Sequence, residues 1–365
     1  MQHMKHLSEY RDRELARKII RAIHTSSKKE ARFMEVCGTH TVSIFRNGIR
    51  EVLPPHIALI SGPGCPVCVT DTEEIDKSIK LSHEHDVILT TFGDLMRVPG
   101  SRSSLQREKA DGADIRPVYS TLDALKIATN HPDKKVVFLG IGFETTAPTI
   151  AAAVLQARNH KIKNFYVLSF HKLIPPAMDA LLSSGELKID GFMCPGHVSC
   201  IIGANPYLPV AEKYRTPCVV AGFEPVDILQ SVYMLVEQLE KGCADVEIQY
   251  QRGVTFEGNR KAMAIIERVF EPCDAPWRGL GNIPKSGLRL RGEYKGYGAE
   301  SVFDLSVPKP KKHPGCICGD VLRGAKTPVE CPLYGKGCNP SRPVGPCMVS
   351  TEGACAAYYK YHEIS

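Results

Sequence analysis

No run in this 365-residue chain approaches the roughly 18 consecutive apolar residues needed to cross a bilayer, so membrane-spanning helices are excluded. The opening Met1-Gln2-His3-Met4-Lys5-His6 has no apolar core of a secretory leader, and a cytoplasmic protein is expected. No Lys/Arg run is interleaved with aromatic residues, and the formal net charge is only +6, which argues against a nucleic-acid partner. The paired C-x2-C knuckles of a zinc ribbon are also missing, because Cys65–Cys68 has no second pair near it. The last 50 or so residues have almost no periodic apolar pattern. A segment so poor in core needs a covalent or metal staple.

What is present is ordinary for a soluble protein, with 43% hydrophobic and 24% charged residues. The length predicts two or three domains. The cysteines are less ordinary. Fourteen thiols in a cytoplasmic chain point to metal binding or redox work rather than structural disulfides. Six lie between Cys316 and Cys355, and three lie at Cys37, Cys65 and Cys68. The other five (Cys194, Cys200, Cys218, Cys243 and Cys273) are scattered, as small buried hydrophobes are.

Apolar periodicity predicts an amphipathic helix over 9–24, followed by strands at 33–36 and 57–60 that end at Cys37 and at Cys65/Cys68. Thr70 and Glu73 read as a capping box opening a helix to about 85. Strands at 86–90, 136–140, 165–170, 189–193 and 218–221 alternate with helices at 147–159, 175–184 and 226–240. The fold class expected is α/β: two open, mostly parallel, Rossmann-like domains over 1–130 and 131–245. A cysteine-rich, iron–sulfur-stapled C-terminal domain over 246–365 completes the chain, with a basic, proline-punctuated linker at 308–314.

In such folds, chemistry collects at the carboxyl ends of strands. Cys37 and His40 sit there, as a nucleophile with its base or as two ligands to a soft metal. Cys65-Pro66-Val67-Cys68 has the setting of a thioredoxin-like redox pair, with half a zinc site as the rival. A helix starting there would lower the nearer thiol's pKa. Asp94, Glu144, His197 and Glu224 also end strands and could equally be caps or turn residues. Met178 and Met193 read as core. Cys316, Cys331, Cys338 and Cys355 form C-x14-C-x6-C-x16-C, suited to a [4Fe–4S] cluster or to zinc. Cys318 competes with Cys316 for one position, and Cys347 is left over.

Together, Met34-Glu35-Val36-Cys37-Gly38-Thr39-His40-Thr41, Gly62-Pro63-Gly64-Cys65-Pro66-Val67-Cys68, Gly142-Phe143-Glu144-Thr145-Thr146, Cys194-Pro195-Gly196-His197 and the C-terminal spacing resemble the HypD family of [NiFe]-hydrogenase maturation factors. The resemblance runs from 34 to 355. It implies a [4Fe–4S] cluster on Cys316, Cys331, Cys338 and Cys355, and a platform for building an Fe(CN)2(CO) group. It implies Cys37 as the iron-binding thiol beside His40, and Cys65 with Cys68 as the redox-active pair. Asp94, His197 and Glu352 would line the assembly cleft. The partners implied are the chaperone HypC and the cyanide donor HypE. Two other readings stand beside it: a cluster-dependent protein disulfide reductase, and a binding module with structural zinc.

Overall fold

The computed structural model describes residues 11–311 and 313–362. Residues 9 and 10 of the expected first helix, Lys312 of the linker and the Met1–His6 stretch lie outside them. The chain is α/β as expected, and no helix among the described residues is long and apolar enough to cross a membrane.

The strands are β1 (Ala31–Glu35), β2 (Ile57–Ser61), β3 (Val87–Thr91), β4 (Ile115–Pro117), β5 (Lys135–Gly140), β6 (Phe165–Ser169), β7 (Gly191–Pro195), β8 (Cys218–Ala221), β9 (Val246–Ile248), β10 (Phe270–Trp277) and β11 (Gly281–Leu290). One parallel sheet has the order β2-β1-β7-β8-β9 and the other β4-β3-β5-β6. Strands such as Val87–Thr91 and Gly191–Pro195 are buried along their whole length, which is why they read as continuous apolar runs. The remaining pair, β10 and β11, is an antiparallel hairpin.

The two sheets are not the two halves of the chain. Strands β1 and β2 leave the first half and pair with β7, while β3 and β4 pair with β5. Sequence periodicity identifies strands but carries no information about their neighbours.

Several elements were not expected. The polar stretch after Cys37 is a helix, Gly38–Arg46, and Cys37 is its N-cap. The capping box lies one residue later than Thr70/Glu73, with Asp71 as the cap and Glu74 closing it. Residues 246–311 contribute β9, a helix at Arg260–Val269 and the hairpin. The cysteine-rich segment is not without a core either. Leu322 and Cys347 join the same buried cluster as Leu89, Phe192 and Trp277. Met178 and Met193 are buried as expected. Among the scattered cysteines, Cys194 and Cys218 are buried, but Cys243 is exposed and Cys200 and Cys273 are half-buried.

A buried ion pair joins the second sheet to the helix after Cys68. Lys172 Nζ donates to Glu74 Oε1 at 2.6 Å, and both side chains are almost wholly buried. Lys172→Met leaves the Glu74 carboxylate without its counter-charge and is expected to cost about 3–5 kcal/mol of unfolding free energy at pH 7. Burial already raises the Glu74 pKa, and losing Lys172 raises it further. The folded variant then binds more protons than the unfolded chain, so the deficit should shrink as pH falls. Denaturant titration at two pH values checks both the size and the sign.

Candidate functional site

The order β2-β1-β7-β8-β9 reverses direction between β1 and β7, where the chain passes to β2 on one side and to β8 on the other. The crevice beyond the carboxyl ends of those two strands is the usual ligand position of an open α/β sheet. Cys37 follows β1, and Gly196-His197 follows β7.

Two glycines bring separate loops against Cys37. A Cβ on Gly64 would fall 2.1 Å from the Cys37 backbone nitrogen, and one on Gly38 would fall 2.6 Å from the Glu352 carbonyl oxygen. Only glycine permits both approaches. Gly38 N–H also donates to the Gly64 carbonyl at 2.8 Å. The C-terminal segment thus folds back onto the Cys37 turn, and Thr39 Oγ1 donates to Glu352 Oε1 at 2.7 Å.

Cys37 is 7% exposed. Burial pushes its thiol up to about 11; the backbone N–H groups of His40 and Thr39 oppose the rise, and the Glu352 charge adds to it. His40 points elsewhere. Its Nε2 lies 3.2 Å from the Ala221 carbonyl, to which it donates, and its Nδ1 is buried with no partner. Burial lowers its pKa to about 4, so the ring is neutral near pH 7. Neither ring nitrogen bonds Cys37, and the geometry of a thiol–imidazole catalytic pair is absent.

Phe223, between β8 and the helix Pro225–Lys241, connects the two histidines. It stacks on His197 with centroids 3.9 Å apart and lies 5.0 Å from His40. Sequence analysis singled out Glu224 in the turn Gly222-Phe223-Glu224, but the phenylalanine carries the role and not the glutamate. Glu224 is the N-cap of Pro225–Lys241 and pairs with Arg11, while Glu144 accepts from the first N–H of the helix Ile174–Ser183. Both are caps.

His197 is exposed, and its pKa is lowered by partial burial, with the Glu352 charge working in the other direction. Glu352→Gln keeps an acceptor for Thr39 but removes that charge. The His197 titration midpoint is expected to move down, as NMR of the imidazole resonances would report.

Beneath Cys37, Glu35 is buried and accepts from Ser61 at 2.6 Å and Thr41 at 3.2 Å. Arg50 lies 3.7 Å from Glu35 and donates to Tyr358 at 2.6 Å, which ties the C-terminal helix Ala354–Tyr361 to this floor. Nothing in the sequence spacing signals this network. Asp94 is exposed at the carboxyl end of β3, in the other sheet.

Cys65 and Cys68 form a disulfide with Cα atoms 5.2 Å apart. Cys65 caps a single helical turn, Pro66–Val69, and both cysteines are buried. Cys68 Sγ lies 3.8 Å from the carbonyl oxygen of Pro346, the residue before Cys347.

Cys347 opens onto a small apolar cavity that all six C-terminal cysteines line: Cys316, Cys318, Cys331, Cys338, Cys347 and Cys355. The two thiols set aside by the C-x14-C-x6-C-x16-C spacing therefore share the cavity with the four it selects. They crowd one another. Contact with Cys318 and burial raise the Cys316 thiol, and contacts with Cys318 and Cys355 raise that of Cys347. Among the described residues, no three His, Cys, Asp or Glu side chains are grouped closely enough to grip a single ion.

The family model described as "HypD: Hydrogenase formation hypA family" matches residues 14–362. The hydrogenase maturation factor HypD of Rhizobium leguminosarum bv. viciae is 49% identical over 98% of this chain and 96% of its own. That of Cupriavidus necator is 47% identical over 98% and 97%. That of Rhodobacter capsulatus is 46% identical over 98% of each chain.

Proposed function

This chain belongs to the HypD family of hydrogenase maturation factors, and from that premise we propose that it is the scaffold and redox component on which the Fe(CN)2(CO) group of [NiFe] hydrogenase is assembled. HypC and HypE are its proposed partners, the latter as cyanide donor, and the cytoplasm its compartment. The observation that carries this reading is contiguity. The Cys37 crevice, the Cys65–Cys68 disulfide and the six-thiol cavity are joined through Gly64, Glu352 and the Pro346–Cys347 peptide.

Each part then has its own task. The iron unit is the substrate, and a low-spin iron carrying cyanide and carbonyl favours a soft thiolate such as that of Cys37. Burial keeps water from competing for that sulfur. Thr39 and Glu352 hold the loop, and exposed His197 can accept or release a proton at the crevice mouth. The Cys65–Cys68 couple can store an electron pair: two electrons and two protons convert the disulfide to two thiols.

A [4Fe–4S] cluster is the resident group this reading requires, and the chemistry of the donor set fits it. Six thiols facing an apolar cavity exceed the four that a cube needs, with Cys316, Cys331, Cys338 and Cys355 as the proposed ligands. When bound, such a group supplies electrons one at a time. The Cys65–Cys68 disulfide beside it can collect two, with two protons, as it opens to a dithiol.

Anaerobic purification followed by metal analysis tests this assignment. A brown protein with iron, sulfide and broad absorbance near about 400 nm is expected. A colourless protein with stoichiometric zinc would overturn it. The alternative of a disulfide reductase for partner proteins is not supported. The relatives named above are maturation factors, and Cys65 and Cys68 are 3% and 0% exposed, out of reach of a partner's disulfide.

A further inference from the structure

The cysteine cavity shares a wall with a second, larger cavity of about 690 Å3, within the range of small-molecule sites. Cys316, Ile317, Cys318 and Gly345 line both. Arg278, at the turn between β10 and β11, also lines the larger cavity, with Thr72 at the first position of the helix Thr72–Leu81. Lys311 and His313 stand at the exposed edge.

The charge of this cavity is one-sided. Among the described residues, Asp320 is the only carboxylate on its wall, and Arg323 already neutralises it at 2.6 Å. Arg323 is itself shared with Glu186 at 2.5 Å. Lys311 has no ion pair among the described residues, although its backbone N–H donates to Ser101 at 2.9 Å.

Arg278 is the informative residue. It is 8% exposed. Its Nε donates to the Thr70 carbonyl at 2.9 Å and its Nη1 to Thr72 Oγ1 at 2.8 Å, while its own N–H donates to Val69 at 2.8 Å. These bonds hold the guanidinium plane rigidly against the disulfide turn. Its Nη2 has no partner. A buried guanidinium nitrogen left unsatisfied, with no carboxylate facing it, is costly and calls for an explanation. An ion pair within the chain is not that explanation.

We propose that this cavity is an anion site that takes one carboxylate or other oxyanion, with Arg278 Nη2 and Lys311 as its donors. The ligand would sit between the two redox elements, against the disulfide turn through Arg278 and against Cys316 and Cys318 through the shared wall. The oxyanion can be a free one or a carboxylate carried by an acidic polypeptide. The site does not depend on what the six thiols hold.

Calorimetric titration of the full chain at constant ionic strength tests this, with inorganic phosphate in one arm and a short glutamate-rich peptide with a blocked C-terminus in the other. Saturable binding of at least one probe is expected, weakened by roughly tenfold in Lys311→Gln and abolished in Arg278→Gln. Lys311 is exposed, so its variant decides the matter should Arg278→Gln fail to fold. Tighter binding of phosphate assigns a free oxyanion, and tighter binding of the peptide assigns a protein carboxylate. Binding of neither probe, or equal binding by wild type and Lys311→Gln, overturns the proposal and leaves Nη2 to a buried water.

Discussion

Cys37→Ala is expected to reduce hydrogenase maturation to background, a fall of at least about 100-fold, in a strain lacking its own copy of the factor. The substitution removes one buried sulfur from a packed turn, worth about 1 kcal/mol, so the protein should still fold. It should also keep whatever metal the C-terminal cysteines bind, because Cys37 is not among the cavity-lining residues. The specific expectation is a protein with unchanged cluster absorbance that retains no additional iron after incubation with its partners. Full maturation by Cys37→Ala would remove the scaffold reading altogether. The neighbouring imidazole is not placed to activate this thiol as a nucleophile. His40 is turned to the Ala221 carbonyl and is neutral near pH 7.

Cys65→Ser is the second large effect, and it should look different. The disulfide spans a sequence separation of only 3, so in the chain-entropy account its loss costs on the order of 2 kcal/mol, and folding should survive. Maturation should nevertheless fall to background, because the electron pair has no store. Thiol titration before and after mild reduction provides the discriminating readout. The wild type should gain two thiols from the Cys65–Cys68 bond, and the variant none. Normal maturation in Cys65→Ser would show that electrons reach the crevice without the pair. Loss of cluster absorbance in this variant would instead show that the turn Pro66–Val69 is structural support for the neighbouring Pro346–Val349 turn.

The sequence made most of the strands legible, because in a parallel sheet both faces are buried and the strands appear as uninterrupted apolar runs. It made the cysteine and histidine turns legible for the same reason, since reactive residues follow those runs directly. Elements whose signal is weaker were missed. Helix Gly38–Arg46 carries Thr39, His40 and Ser43 and reads as polar loop. It folds because Ile44 and Phe45 are buried, and Phe45 is gripped by Arg50 and Tyr358. Phe223 was hidden by the glutamate beside it. The capping box was one residue out because Thr70 and Asp71 are both good caps, and Asp71 is the one whose side chain reaches the N–H groups.

By itself, the sequence determined the α/β class, the family, the three thiols of the opening stretch and the six at the end. Those follow from residue identity and local spacing. Only the tertiary structure decided which of them meet. The strand order that places β7 beside β1 sets the turn bearing His197 next to the turn bearing Cys37, across some 160 residues of chain, and Gly38 admits Glu352 from the far end. It also brought Cys318 and Cys347 into the same cavity as the other four cysteines, and set that cavity one peptide from the disulfide. Those contacts depend on sheet order and on close approaches that only glycine allows. Neither leaves a periodic trace along the chain.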